Sequence, residues 1–462
     1  MDAKGGTMQD EPIDDDLFLP EGEEDNLDLD LPHCGLAWSI ELSDSITAIA
    51  LAPNRLLVAV ATIDDEITLL DIETGKVTST LPGHSGGTNA LQFLNDEILI
   101  STGEDSLAKI WRCSNTAAAA SEEEAKEQLT KPQLVVEYNV AGIDADRSFA
   151  GYTVGHLAMS PDGDQFAVAS GKSIVLFTIT DAVPTNLDIT RRDLPPLKST
   201  VEALKFDAHN ANLLAAYNGG ITMWALATRK DKDQAQALDF AYDGACLAIE
   251  ANKDMSWLCA GCHDASVHIW HLLHPDDDST STSSEGVAVR EMACGGYQKP
   301  VKMVEFGPGR NSKWLASAGG LQGTIWDFSD SPAGSVPTLT LGHVSPITCQ
   351  AWQPEEPYLL VTGSKNGLLL FHDVNDIAQP GKPNLCLPGV VADAFSTSED
   401  GSADGKDEEN EQDEATVVMF GREGVVVSGH VSGVVRGWRL PEGEEEEEET
   451  DDEETDEAED KR

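Results

Sequence analysis

The sequence predicts an all-β fold built from repeated four-stranded units, and three observations predict it. A β-rich run, a small or acidic turn and a second β-rich run ending in a bulky ring recur, as in LISTGEDSLAKIW (99–111) and LCAGCHDASVHIW (258–270). An alternating apolar strand precedes each of these hairpins. The distance between successive units is nearly constant once low-complexity segments are set aside, which is the pattern of a repeat protein.

The bulky residue six positions after each turn defines the period. These residues are Leu70, Trp111, Phe177, Trp224, Trp270, Trp326, His372 and Trp438, separated by 41, 66, 47, 46, 56, 46 and 66 residues. Removing the low-complexity segments 114–131, 276–286 and 397–414 gives 41, 48, 47, 46, 45, 46 and 48. This period matches one four-stranded propeller blade of roughly 40–45 residues. We therefore predict a single β-propeller over residues 33–440 with eight blades, and seven if the first or last repeat is a decoration.

Each unit is predicted to open with an alternating strand. Seven of these strands are Ile46–Leu51, Thr88–Phe93, Val154–Met159, Val201–Phe206, Cys246–Glu250, Val301–Phe306 and Ile347–Trp352. The eighth begins either at Val390 or at Thr416, with the acidic insert before or within it. The last repeat shows three strands, and Leu36–Leu42 stands alone before the first repeat. We expect Leu36–Leu42 to complete the last blade, because this closes the ring and removes a free sheet edge.

The repeats resemble those of WD40-repeat proteins over residues 36–440. In that family a His from a Gly-His pair, a turn Asp, a Ser or Thr and the Trp indole form one hydrogen-bonded set. The second repeat matches the set completely, with His84, Ser101, Asp105 and Trp111. In the seventh repeat His343 is kept, while Asn366 replaces the Asp and His372 replaces the Trp. Repeats five to seven, including 295–309 and 324–343, also resemble a bacterial-type eight-repeat WD40 group. The resemblance implies a shared fold and no agreed activity.

The net charge of −52 is concentrated in the predicted tails and inserts. Residues 1–32 carry −11, residues 441–462 carry −13 and residues 396–414 carry −8. We predict that the two tails and the three inserts are disordered, since such acidic segments bury little apolar surface. Direct nucleic-acid binding is not expected, because phosphate contacts need clustered Lys and Arg.

The acidic C-terminal tail has two interpretations. It is a solvated segment that aids solubility, or a polyanion that attracts a basic client such as a histone or ribosomal protein. The predicted contacts in the second case are Glu444, Glu445, Glu446, Glu447, Glu448, Glu449, Asp451 and Asp452. The N-terminal segment 17–32 mixes acids with leucines. Such a segment is either a docking segment that orders on a partner, or a segment whose leucines pack against the propeller beside the closing strand.

The segment Cys259-Ala-Gly-Cys262-His263 has the spacing of a covalent haem attachment site. It falls on a second strand and turn of a repeat, so we interpret it as structural. A zinc role needs two further ligands, which Cys246 or Cys294 could supply but which the sequence does not identify. We therefore predict no cofactor and no metal site. The eight cysteines are predicted to be reduced and mostly buried, because the chain shows no export signal.

No nucleophile with its base and no phosphate-binding glycine motif can be identified, so we predict that the chain is not an enzyme. The leading hypothesis is a non-enzymatic protein-interaction scaffold, a platform on which a multi-protein complex assembles. The alternative is an acidic chaperone or assembly factor for basic clients. We expect a monomer or a subunit of a hetero-complex in the cytoplasm or nucleus, with no membrane or nucleic-acid partner.

Overall fold

A computed structural model describes most of the region between residues 35 and 440. The described residues are 35–54, 56–113, 133–140, 154–183, 186–209, 211–226, 236–273, 288–308, 313–328, 337, 339–343, 345–354, 359–373, 390–392, 413–421 and 424–440. Throughout these ranges the regular structure is β-strand, as predicted from the alternating apolar runs. Among these residues no helix has the length and apolarity that a membrane crossing requires.

The strands form antiparallel sheets in which sequence neighbours pair. A first strand, β1 (Gly35–Glu41), precedes the repeats. The first three repeats form β2–β3–β4–β5, β6–β7–β8–β9 and β10–β11–β12–β13. Their strands are β2 (Ile46–Leu51), β3 (Leu57–Thr62), β4 (Ile67–Asp71), β5 (Val77–Leu81), β6 (Thr88–Phe93), β7 (Ile98–Gly103), β8 (Leu107–Arg112), β9 (Gln133–Asn139), β10 (Val154–Met159), β11 (Gln165–Ser170), β12 (Ser173–Val183) and β13 (Asn186–Asp193).

The remaining repeats continue the same order. Their strands are β14 (Val201–Phe206), β15 (Asn212–Ala225), β16 (Gln236–Ala251), β17 (Trp257–Cys262), β18 (Val267–Leu273), β19 (Ala288–Cys294), β20 (Met303–Phe306), β21 (Trp314–Gly319), β22 (Gln322–Asp327), β23 (Leu339–Gly342), β24 (Ile347–Trp352), β25 (Leu359–Ser364), β26 (Leu369–Asp373), β27 (Val390–Ala392), β28 (Ala415–Phe420), β29 (Val425–His430) and β30 (Val434–Arg439).

The described strands form seven sheets, which is the alternative number, and eight separate blades are not confirmed. The physical reason is β16, a strand of 16 residues. Its first part pairs with β15 and its last part, from Cys246 to Ala251, pairs with β17. It therefore ends the fourth repeat and begins the fifth without a break, and these two repeats form one six-stranded sheet. The other six sheets have four strands each.

The ring closes as predicted, because β1 completes the sheet β28–β29–β30. The strand β1 runs antiparallel to β30, with Gly35 opposite Arg439 and Glu41 opposite Val434. The Trp38 side chain anchors this pairing: it is buried, and its indole nitrogen donates to the carbonyl of Ile72, 2.7 Å away.

The first strand of the last repeat is β28, so the eighth repeat begins near Thr416 and not at Val390. The strand at Val390 is β27, the fourth strand of the seventh repeat, where it pairs with β26. The acidic insert therefore lies between the two repeats. Its last two residues, Asp413 and Glu414, belong to the described body and are half-buried.

The core lies between the sheets and is built by the period that the sequence shows. All eight bulky residues of the period lie in third strands or their equivalent in β15, and all are buried. Six of the cysteines are described, and each is buried and free, in agreement with the prediction. Residues 1–34 and 441–462, with most of the inserts, lie outside the described residues.

Candidate functional site

The hydrogen-bonded set predicted in the second repeat comes together in the structure. Asp105 is an acceptor, so His84 donates from Nδ1 to its carboxylate, 2.8 Å away. The Nε2 atom of His84 then accepts from the Ser101 hydroxyl at 2.7 Å, and the Trp111 indole donates to the same hydroxyl at 2.8 Å. Gly103 is needed beside this set, because a Cβ at that position would overlap the His84 side chain.

Burial sets the charge states of this network. The pKa of His84 is lowered, because burial disfavours the imidazolium more than Asp105 favours it. Burial alone would raise the pKa of Asp105, but the hydrogen bond from His84 contributes to a pKa that is lowered overall. The neutral imidazole of His84 therefore links the charged carboxylate of Asp105 to the Ser101 hydroxyl, which in turn accepts from the Trp111 indole. The role of this set is to fix the turns at one end of the blade.

Related networks occur in repeats six and eight, where the sequence did not predict them. In repeat six the hydroxyl of Tyr297 lies 2.6 Å from Ser317 and accepts from the Trp326 indole at 3.0 Å. In repeat eight the Ser428 hydroxyl accepts from the Trp438 indole at 2.9 Å and lies 2.9 Å from a histidine of its own strand. The recurring sequence signal is a Ser nine or ten residues before the Trp. The side chain that hydrogen-bonds to this Ser is a His or a Tyr, and its position in the repeat varies.

The seventh repeat keeps a reduced form of the network, as its sequence predicts. Thr362 bridges the Nε2 atoms of His343 and His372, at 2.7 and 2.9 Å. Burial lowers the pKa of His343 to about 4 and, together with the neighbouring His343, that of His372 to about 3. Both imidazoles are therefore neutral near pH 7.

The Cys259-Ala-Gly-Cys262 segment lies on β17, where successive side chains face opposite sides. Cys259 packs with Ala248 and Val267, whereas Cys262 packs on the other side with Cys246 and Trp270. The two cysteines of the motif therefore cannot bind one haem or form one disulfide. This arrangement agrees with the structural interpretation of the motif.

The inner strands of the later repeats line a cavity of about 300 Å³. Lys205 forms an ion pair with the buried Glu250, and Glu305 lies close enough to interact with both. Burial raises the pKa of Glu305 to about 7, against the opposing effect of Lys205. The cavity is also lined by Lys302. The lining therefore combines lysine and glutamate side chains.

The turns of repeats eight, one and two form a continuous surface at one end of the propeller. In antiparallel order, the loop before a first strand lies at the same end as the turn between the second and third strands. Backbone hydrogen bonds connect these loops in sequence: Leu42 donates to Gly433 at 2.9 Å, and Ile63 donates to Ser45 at 3.0 Å. The Gly86 amide then donates to the Asp65 carboxylate at 2.9 Å.

This surface is strongly acidic. Its acidic residues are Asp44, Asp64, Asp65, Glu66, Glu104, Asp105, Asp413 and Glu414, which we call the acidic loop surface. The segments 42–45, 63–66, 83–87, 104–106, 413–414 and 430–433 contain no Lys or Arg. Lys109 and Arg436 approach from third strands, and each pairs with one of the carboxylates. The surface therefore keeps a clear surplus of negative charge.

Hydrogen bonds and two apolar side chains complete the acidic loop surface. Hydroxyls of Thr62 and Ser43 hold the pKa of Asp64 below its usual value, so this carboxylate remains charged. Ile63 is 53% exposed and Val431 is 46% exposed, both in turns of this surface. Carboxylates around exposed aliphatic side chains suit a segment that carries both Lys or Arg and apolar residues. The sequence did not predict this surface, because its acidic residues lie in four separate loops.

The predicted basic-client contacts from Glu444 to Glu449, with Asp451 and Asp452, lie outside the described residues. Their role stays a prediction.

Known proteins that resemble this chain have the same kind of fold. The family described as "WD domain, G-beta repeat" matches residues 75–112, 237–271 and 335–373. Among solved structures, Sqt1 from Chaetomium thermophilum is similar with a TM-score of 0.65 and 16% identity, over 88% of this chain and 100% of that chain. The same protein bound to the N-terminus of the ribosomal protein L10 matches with a TM-score of 0.63 and 16% identity, over 86% and 97%.

A computationally designed protein, Ika8, is similar with a TM-score of 0.56 and 21% identity, over 87% of this chain and 98% of that chain. At these identities the likenesses establish the fold and nothing further.

Proposed function

Because the chain is a WD40-repeat β-propeller protein, we propose that it is a non-enzymatic platform that binds a basic segment of a partner protein and assembles it into a larger complex. The observation that supports this proposal is the acidic loop surface with its exposed Ile63 and Val431. A closed propeller holds the surface rigid, so binding requires little reordering of the platform itself. We place this activity in the cytoplasm or nucleus, as predicted from the sequence.

The geometry suits a short cationic segment. Glu66 and Glu104 are exposed, and they lie in neighbouring turns that the Gly83–Gly87 loop connects. Opposite charges accelerate encounter and orient the partner, while the apolar side chains contribute contact area that salt does not screen. Binding that combines charge attraction with apolar contact should weaken as salt is added but should not disappear.

The test is capture of partners from a lysate of the source cells with the tagged full chain, followed by mass spectrometry. The variant Glu66→Lys/Glu104→Lys changes the charge of the acidic loop surface. The control Glu73→Lys/Glu137→Lys makes the same net charge change at exposed residues outside that surface. Recovery is compared at about 0.1 M and about 1 M salt, where the Debye length falls from about 10 to about 3 Å.

We expect the first variant to lose a defined set of partners that the control retains. We also expect these partners to contain Lys- and Arg-rich segments. Equal recovery by both variants at both salt concentrations would contradict binding at this surface.

A second candidate function is that of a chaperone for a basic client. The specific observation that favours it is the similar fold of Sqt1, whose solved structure holds the N-terminus of a ribosomal protein. The acidic tail and insert would add long-range attraction. Deleting 441–462 and 397–412 separates the two candidates: a chaperone loses capture in moderate salt, whereas the platform retains partners bound at the acidic loop surface.

A further inference from the structure

Three metal-ligating side chains meet at the β17–β18 turn, outside the acidic loop surface, and a fourth, that of Cys246, adjoins one of them. Cys246 on β16 and Cys262 on β17 are direct partners in the strand pairing. Their sulfur atoms lie 3.9 Å apart, and both side chains are fully buried. The two thiols are 16 residues apart in sequence, so the CxxC spacing did not reveal them as a pair.

Asp264 and His268 extend the pair toward the surface. One ligand atom from each of Cys262, Asp264 and His268 lies within 4.8 Å of the others. The Nε2 atom of His268 is 3.6 Å from Oδ2 of Asp264. Asp264 is about half exposed, at 49% of its side chain, so an ion from solvent has a route to the site.

Two of the ligand separations match those around a tetrahedral ion. A zinc–sulfur bond of about 2.3 Å places two thiolates about 3.8 Å apart at the corners of a tetrahedron, which is close to the separation of Cys246 and Cys262. Zinc bonds of about 2.0–2.2 Å to nitrogen and oxygen place those two atoms about 3.3–3.6 Å apart. The Asp264 and His268 atoms meet this requirement as they stand.

Supporting side chains hold the carboxylate in place. The Ser266 hydroxyl donates to Oδ1 of Asp264, and the Tyr242 hydroxyl also hydrogen-bonds to this carboxylate. The Tyr242 ring lies against the His268 ring, with centroids 4.3 Å apart. Such outer contacts orient ligands in metal sites and raise affinity. A pair of buried thiols alone would not need them.

We propose that Cys246, Cys262, Asp264 and His268 bind one Zn²⁺ ion. Two thiolates, one carboxylate and one imidazole form a mixed sulfur, oxygen and nitrogen set that zinc accepts in four-coordinate geometry. On binding, the ion displaces the two thiol protons, which pass to solvent, and each sulfur forms one bond to zinc. The ion would clamp β16, the strand shared by repeats four and five, to the turn after β17.

The alternatives for this cluster are two. The thiols form a weak S–H···S contact without metal, or they oxidise to a disulfide, which needs the sulfur atoms to approach to about 2.05 Å. Both alternatives involve only Cys246 and Cys262, and in both of them Asp264 and His268 still pair with each other at 3.6 Å.

The test uses the full chain, stripped of metal with a chelator under reducing conditions and titrated with Zn²⁺. Bound metal is measured by elemental analysis, and Co²⁺ in place of zinc reports thiolate coordination by visible absorption. The variants are Cys262→Ser, Asp264→Asn and His268→Gln. The control is Cys259→Ser, a cysteine equally buried in the same strand but on its opposite face.

We expect the unaltered chain and the Cys259 control to bind about one zinc ion per chain and to show the cobalt–thiolate absorption. Each ligand variant should bind zinc at least about tenfold more weakly. Asp264 is exposed and His268 is only partly buried, whereas Cys262 is fully buried, so circular dichroism should show the Asp264 and His268 variants folded even if the Cys262 variant is not.

Three results would overturn the proposal. They are no zinc bound by the folded, reduced chain, unchanged affinity in the folded Asp264 and His268 variants, or a Cys246–Cys262 disulfide in the purified chain with no zinc bound after its reduction. None depends on capture of a partner, so this test and that of the acidic loop surface can fail separately.

Discussion

Ser101 is the residue on which the second repeat's network depends. Its hydroxyl is fully buried, donates to His84 and accepts from the Trp111 indole. A buried polar atom without a partner costs more free energy than a formed hydrogen bond returns, so one hydroxyl determines whether two rings are satisfied.

We predict that Ser101→Ala lowers the free energy of unfolding by about 1–3 kcal/mol, because it leaves His84 Nε2 and the Trp111 indole without their hydroxyl partner. Urea unfolding monitored by tryptophan fluorescence measures the change. The control is Ser39→Ala, the same substitution at an exposed position in β1. Equal effects of the two substitutions would contradict a structural role for the network.

At this scale the sequence predicted the second and seventh networks but not those of repeats six and eight. The partners that were not predicted are Tyr297, which replaces the histidine of the Gly-His pair, and His430, which lies on the second strand of its own repeat. Distances between side chains from separate loops are not encoded in sequence spacing. For the same reason Cys246 was one of several cysteines that could join Cys262, and strand register selected it.

At the scale of the strand, the closure of the ring depends on how β1 fits against β30. The Trp38 indole lies between Gly437 and Gly75, and a Cβ at either glycine would overlap it. Gly75 also has a φ of +65°, where other residues are strained. The Trp38 ring on β1 therefore requires a glycine at position 437 of the partner strand β30.

We predict that Gly437→Ala destabilises the chain by about 1–3 kcal/mol, the usual range for overpacking a filled site. The matched control is Gly35→Ala, also in the closing sheet, where an added Cβ meets nothing within 4 Å. Thermal unfolding of both variants gives the comparison. If Gly437→Ala and Gly35→Ala unfold alike, the Trp38 contact does not stabilise the closure.

The bounds of five first strands followed from the alternating apolar pattern, and those of the closing strand followed within one residue at each end. The number of sheets did not follow. Repeats four and five are distinct in sequence, but the backbone of β16 remains extended through both of its pairings, so the boundary between two repeats is not a boundary between two sheets. Periodicity identifies units of sequence, and hydrogen bonding decides how they join.

For the whole molecule, the dominant property is a net charge of −52, most of it in the tails and inserts. Like charges repel more strongly in the compact state than in the extended chain, so they oppose folding, and salt screens them. The described body has its own concentration of acids at the acidic loop surface.

We predict that the thermal midpoint of the full chain rises with salt between about 0.01 and about 0.15 M, over which the Debye length falls from about 30 to about 8 Å. Replacing 441–462 with a Gly/Ser segment of equal length removes 13 net negative charges and should reduce this rise. Calorimetry at the two salt concentrations checks both. The same salt response in both proteins would show that the tail does not repel the body.

The partnership of β1 with β30 also has a consequence for biosynthesis. Trp38 emerges early from the ribosome, while the glycine it packs against, Gly437, emerges some four hundred residues later. The first strand must therefore wait, unpaired at its final edge, until translation of the last repeat is complete. A nascent chain interrupted anywhere before that point is an open arc, and cellular factors that shield sheet edges have the whole period of synthesis in which to bind it.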